Sequence, residues 1–377
     1  MPPRASFESG CGDGWLSKSS LATDEGAAEQ LNCTVKTALQ GADAGELALA
    51  KGSWVKLICG ASNQDLASIG DLCALFSVAG VHCVDVAADA AVVHAARDGL
   101  DWAWERTGRR PWLMVSVSDG NDAHFRKAVF DPGLCPPDCS RPCERVCPAD
   151  AIRATVGVDE RLCYGCGRCW PACPPQLIES LDRRVGLNDL APLLHDLRPD
   201  ALEIHTAPGR LNAFQATLEQ VRLADVPLKR LSVSCGLEGH HVTVESLSKE
   251  LWQRHQALRA HQQRPLWQLD GRPMSGDLGV GTARSAVGLW EQIQPIAPPG
   301  PLQLAGGTNT ATLGLLPCQG GSIGPAGVAF GGVARTLVQP FFQAAQDQGS
   351  RLRDWPDGWA QSLQAARTLI TPWLRRS

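Results

Sequence analysis

The residues best equipped for chemistry are eight cysteines crowded between positions 135 and 173, in a chain that holds fifteen in all. Cys163, Cys166, Cys169 and Cys173, followed by Pro174, read C-x2-C-x2-C-x3-C-P, the spacing of bacterial ferredoxins. Three closely spaced thiolates wrap three corners of an iron–sulfur cubane, and Gly165 and Gly167 leave the backbone room to curl around it. The fourth cysteine, before proline, points away toward a second cluster. Upstream, Cys135, Cys139, Cys143 and Cys147 with Pro148 read C-x3-C-x3-C-x3-C-P, a widened form of the same motif. Exchange of fourth ligands assigns Cys135, Cys139, Cys143 and Cys173 to one 4Fe–4S cluster. Cys163, Cys166, Cys169 and Cys147 then hold the other.

Four thiolates also suit structural zinc, although zinc ribbons separate two cysteine pairs widely and lack the paired Cys-Pro ends. A single cluster beside a decayed second site is the other alternative; the presence of all eight ligands favours two. A disulfide scaffold would call for a short secreted chain, and the first fifty residues show neither an apolar core nor a cleavage pattern. Reduced thiolates and a cytoplasmic location are therefore expected. With a net charge of −4 and 20% charged residues, nothing suggests affinity for nucleic acid or anionic lipid. No apolar run reaches the ~20 residues of a transmembrane helix.

A second group of chemically capable residues lies near the carboxyl end. Asp270, Arg272 and Asp277 share one glycine-rich stretch, Gly306, Gly307 and Thr308 a second, and Gly331 and Gly332 a third. Backbone amides in such loops bind phosphate, because glycine lets the main chain approach closely. Flavin mononucleotide or a phosphorylated ligand would fit; tight turns without a ligand are the alternative. Lys56, Asp85, Glu203, His205 and Cys235 sit in or at the ends of apolar runs, where satisfied structural groups outnumber catalytic ones.

The elements that must position these residues alternate along the chain. Strands are expected at Trp54–Gly60, Val81–Ala87, Trp112–Ser118, Ala201–Thr206, Leu228–Ser234, Pro265–Leu269, Pro301–Ala305 and Gly327–Phe330, with helices between them. Eight strand–helix units predict an α/β chain built as a (β/α)8 TIM-like barrel, with a doubly wound sheet as the competitor. The cysteine segment would be a ferredoxin-like two-cluster insertion after strand three, at the barrel's carboxyl face. The expected organisation is a loosely ordered extension over 1–50, the barrel over 51–130 and 181–340, the insertion over 131–180, and C-terminal helices over 341–377. Trp359, Leu363, Leu369, Ile370 and Trp373 lie at helical spacing and should pack on the barrel.

The chain resembles the light-dependent period family of cyanobacteria in WVKLICGAS at 54–62, DVAAD at 85–89, PWLMVS at 111–116 and the whole cysteine segment. The likeness continues in EIHT at 203–206, DGRPMSGD at 270–277 and LAGGTN at 304–309. The resemblance implies an iron–sulfur protein that senses cellular redox state and relays light-dependent input to the circadian clock. It further implies clock input and oscillator proteins as partners. An electron-transfer partner or a quinone is a further expected contact. Two functions remain open: a sensor whose cluster state controls partner binding, and an oxidoreductase whose barrel binds a ligand fed by the clusters.

Overall fold

Alternating apolar and polar residues in short β-branched runs pair in this protein as eight parallel strands. The computed structural model describes residues 43–147, 149–153, 155–237, 241–272, 279–317 and 324–376. The strands are β1 Trp54–Gly60, β2 Cys83–Ala87, β3 Trp112–Ser118, β4 Ala201–His205, β5 Arg230–Cys235, β6 Pro265–Asp270, β7 Leu302–Ala305 and β8 Gly327–Phe330. They close into a barrel in chain order, with β8 returning to pair with β1 through Trp54–Gly327 to Leu57–Phe330. The competing doubly wound sheet is thereby excluded. Three strands begin later than the sequence suggests, β2 at Cys83, β5 at Arg230 and β7 at Leu302.

Period two along each strand sorts the side chains. Val55, Leu57, Val84, Val86, Val115, Ile204, Leu231 and Val233 face outward into the helix layer. Inward residues form layers. At the amino-terminal end Trp54, Cys83, Trp112, Ala201 and Leu266 make an apolar floor, with Trp54 and Trp112 meeting edge to face at 4.9 Å. At about 25 cal/mol per Å2, burying a Trp of ~200 Å2 contributes on the order of 5 kcal/mol before entropy.

Residues 44–50 were expected within a loose extension but are helical. Helix α1, Ala44–Lys51, closes the barrel floor with Ala48 and Leu49. Glu46 clamps it there through both carboxylate oxygens to Arg230, at 2.8 and 2.7 Å, and through one to Arg264 at 2.6 Å. Eight residues are too short for a stable isolated helix, and packing makes this one. Residues 1–42, including Cys11 and Cys33, lie outside the described residues.

The outer helices follow the expected order: α2 Leu66–Ala79, α3 Ala90–Thr107, α4 Leu187–Leu197, α5 Leu211–Leu223, α6 Val244–Ala260, α7 Ala283–Ile293 and α8 Gly332–Asp347. The unit after β7 departs from the pattern, with only one helical turn at Thr312–Leu315. The expected boundary at 340 falls inside α8, which runs through Pro340. A last helix, α9 Pro356–Leu374, buries Leu369, Ile370 and Trp373 against the barrel's helix layer.

Between β3 and α4 the chain leaves the barrel. Arg126–Val129 pairs antiparallel with Glu179–Asp182, forming a two-stranded stem from which the cysteine segment extends. The stem starts and ends a few residues outside the expected 131–180. Lys127 anchors it, donating to Gln64 Oε1 at 2.6 Å and to the Glu160 carbonyl, while Gln64 donates to Asp89 at 3.2 Å.

Candidate functional site: a thiol-lined segment over a polar barrel mouth

Above the apolar floor the barrel interior turns charged. Lys56, wholly buried, donates to Asp85 at 3.0 Å and to Glu203 at a shorter distance. Ser232 donates to Glu203 at 2.9 Å, Gln268 donates to Glu203 at 2.7 Å, and Ser116 donates to Asp85 at 2.7 Å. Gln303 links Gln268 to the floor, donating at 2.7 Å and accepting from the Trp54 indole at 2.6 Å. One ammonium faces two carboxylates. Burial alone would raise both acids, yet Lys56 and His205 hold Glu203 well below the usual carboxylate range. At Asp85 burial and the like charge of Glu203 prevail over Lys56, and its carboxyl is pushed up. Burial would also lower Lys56, but the two acids keep it firmly charged.

His205, Asp270, Ser116 and Ser234 form the next layer, at the carboxyl-end mouth. Burial disfavours a charged His205, yet Glu203, Asp122 and Asp270 raise it to about 9. Asp270, buried and close to Glu203, is pushed up to about 6 despite the hydrogen bond from Ser234 and the nearby His205.

The mouth opens into a pocket that gathers most of the expected loop residues: Asp270, Arg272, Gly306, Gly307, Thr308, Gly331 and Gly332. Asp277 lies outside the described residues. The glycines at β7 have a packing role of their own. Gly306 has φ 63°, and a Cβ there would lie 2.5 Å from the Arg272 carbonyl; one on Gly307 (φ 90°) would lie 2.9 Å from that of Thr282. Close packing of the β6 and β7 loops already requires both glycines, and Thr308 spends its hydroxyl on the Ala329 carbonyl. Gly331 and Gly332 lead into α8, whose first turn has no side-chain cap.

Of the strand residues singled out by sequence, Lys56, Asp85 and Glu203 lie inside the barrel and His205 at its mouth. Cys235 faces the other way, packed in the helix layer, because β5 turns Ser232 and Ser234 inward. Sequence reasoning missed Gln268, Asp122, His124 and Tyr164. The first is hidden by its neutrality, although its even offset from Asp270 on one strand places both on the same face. Asp122 and His124 belong to a turn after β3 that carried no ligand spacing of its own.

The thiols of Cys147, Cys163, Cys166 and Cys169 line one cavity, whose other walls include Ile152, Val158 and Trp170. Backbone amides of Ala128 and Ala151 already donate to sulfur, at 3.4 Å on Cys163 and 3.3 Å on Cys147. Four convergent thiols, amide donors and apolar walls suit an iron–sulfur cluster. Gly165 makes the loop possible: at φ 72°, a Cβ would lie 2.1 Å from the Arg126 carbonyl. Of the other four cysteines, Cys135 shares a hydrogen bond with Cys139, and Cys173 lies close enough to bear on both Cys135 and Cys143.

Tyr164 belongs to both places. It lines the thiol cavity and the barrel mouth alike. Arg335 of α8 lies over its ring at 4.5 Å and donates to the Cys59 carbonyl at the end of β1.

A parallel barrel bearing a thiol-rich segment at the carboxyl ends of its strands defines an α/β barrel protein with an iron–sulfur module. Residues 135–184 match the LdpA Fe-S cluster-binding domain, and residues 193–372 match the Light dependent period A C-terminal domain. The chain is 44% identical over 333 residues to Light dependent period A of Synechococcus elongatus, covering 86% of this chain and 92% of that protein. It belongs to the light dependent period A family. Among solved structures, (S)-3-O-geranylgeranylglyceryl phosphate synthase from Thermoplasma acidophilum, in complex with sn-glycerol-1-phosphate, covers 89% of this chain and 100% of its own. Its identity is 10% and its TM-score 0.38, a likeness that carries no argument about this chain. Among the described residues no helix is long and apolar enough to cross a membrane.

Proposed function

We propose that this chain is a redox-sensing iron–sulfur protein with two 4Fe–4S clusters, whose cluster state governs partner binding in light-dependent input to the circadian clock. Cys147, Cys163, Cys166 and Cys169 would hold one cluster, and Cys135, Cys139, Cys143 and Cys173 the other. When bound, the clusters supply one-electron chemistry. The observation that carries the reading is the shared wall at Tyr164, between the four-thiol cavity and the barrel mouth. Amide donors on Cys163 and Cys147 stabilise thiolate charge. Tyr164, held by Arg335, ties the loop of Cys163 and Cys166 to β1 and α8. A change at the thiols is then felt at the surface loops of the mouth, which are available to clock input or oscillator proteins. Thiolate ligation favours a reducing, cytoplasmic compartment.

A second reading makes the barrel an oxidoreductase that binds flavin mononucleotide or a phosphorylated ligand and exchanges electrons with a protein partner or a quinone. It is favoured by the uncapped start of α8 at Gly331 and Gly332, facing the same pocket as Asp270. Anaerobic purification with iron, sulfide and flavin quantification, and electron paramagnetic resonance of the reduced protein, separates the two. About eight irons per chain without flavin supports the sensor. The same iron with stoichiometric flavin makes the chain an enzyme, and about half that iron removes the cluster assigned to the widened motif.

A further inference from the structure

The barrel mouth holds a second set of donors that owes nothing to the thiols. Asp122 and His124 lie on the turn after β3, and His205 ends β4. One ligand-competent atom from each lies within 4.8 Å of the other two. We propose that Asp122, His124 and His205 bind a borderline first-row dication of the Zn2+ or Fe2+ class, as a mononuclear centre at the barrel mouth. Two imidazoles and a carboxylate are a donor set such ions favour, and three protein ligands leave positions open for water or a ligand. Both imidazoles line the mouth pocket, so those positions face a cavity. Mg2+ and Ca2+ prefer oxygen donors, and two of these three are nitrogen.

The surroundings of His205 resemble a prepared ligand. Its Nε2 is 3.2 Å from Glu203 Oε1, while Nδ1, on the other side of the ring, faces Asp122 at 3.8 Å. With one proton kept on Nε2 toward Glu203, loss of the Nδ1 proton to solvent on metal binding would leave the Nδ1 lone pair toward Asp122, the carboxylate–histidine–metal arrangement. Glu203 is itself fixed by Lys56, Ser232 and Gln268. Phe125 meets the His205 ring edge-on at 5.2 Å, and the His124 ring lies 5.1 Å from it. The Asp122 turn is rigid too, its carboxylate accepting the His124 amide at 2.7 Å. A purely structural role would give Asp122 its turn and His205 its acid partner. The Asp122 carboxylate also meets His124 Nδ1 at 2.8 Å and faces His205 Nδ1 at 3.8 Å, so a dication there would replace the protons of two imidazole–carboxylate contacts.

The test uses the full chain with clusters intact, handled anaerobically, and Co2+ as the spectroscopic probe. The expected result is about one Co2+ per chain, with ligand-field bands and no sulfur-to-cobalt charge transfer, displaced by Zn2+ and indifferent to excess Mg2+. His124→Ala should weaken binding by at least about tenfold, the scale at which the loss of outer-shell partners alone acts. Iron and sulfide content should stay unchanged in that variant, which keeps this outcome separate from the cluster reading. His205 is buried against Glu203 and its removal threatens the fold, so Asp122→Asn serves as the second variant. No retained cobalt, cobalt bound through sulfur, or cobalt held by both variants as tightly as by the unaltered chain would overturn the proposal.

Discussion

In the cysteine segment, regular structure among the described residues shrinks to two four-residue helices and a two-residue ladder. At the barrel mouth, by contrast, Glu203, Asp270 and Gln268 project from strands hydrogen-bonded on both sides. The two regions also differ in what fills them. The barrel is packed with Trp, Leu, Val and Ile on its floor and helix layer, whereas four of the eight buried residues in the segment's small core are cysteines. A region whose core is made of thiols depends on what those thiols bind, as small metal domains do. The barrel needs no such support.

The sharpest way to break that contrast is to strip the iron from purified protein. Limited proteolysis should then cut within residues 135–182, while far-ultraviolet circular dichroism keeps the barrel's signal. Joint loss of both would mean that the barrel leans on the segment. Next in size is Lys56→Met. With the ammonium gone, Asp85 and Glu203 face each other as buried acids, and denaturant unfolding should show a loss of about 3–5 kcal/mol. Iron content should not change, since the hydrogen bonds of Lys56 go to Asp85, Glu203 and Met114 and to none of the eight segment cysteines.

Acid tests the barrel floor. His82 accepts the Val55 amide at 3.1 Å and stacks on Trp54; burial, with the nearby Arg109 charge, lowers it from 6.5 to about 4. The unfolded chain therefore takes up this proton first as pH falls. Stability should be full above about pH 6.5 and decline toward pH 4, by roughly 3 kcal/mol in total. Tryptophan-monitored urea unfolding across that window would read it, and His82→Gln should flatten the slope. The smallest effect is expected at the strap between the regions. Gln64→Ala removes the links to Lys127 and Asp89 and should change barrel stability by no more than about 1 kcal/mol, yet quicken proteolysis of the segment.

Much of the fold was legible because its signals are local. β1, β3 and β8 begin and end where their apolar runs do, and α4 and α5 fall between strands as expected. Boundaries slipped where packing overrode propensity, at α1 and at the single helical turn after β7. The three glycine-rich stretches line one pocket in the folded chain, and the need for Gly306 and Gly307 in loop-to-loop packing is displayed by no single stretch of chain. Tyr164 reads as an ordinary spacer between two cysteines. Its place on two cavities depends on how the stem of residues 126–129 and 179–182 sets the segment over β1 and α8.

Cysteine spacing, strand periodicity and the order of elements were set by sequence alone, since each depends on neighbours a few residues away. Tertiary structure alone decided which way Cys235 faces, that Lys56 would be enclosed by acids from two other strands, and that Asp122, His124 and His205 would meet. A strand shows its neighbours which residues share a face, but only closure of the barrel decides which face is inside. Charges far apart in the chain become partners only once the same closure removes the water between them.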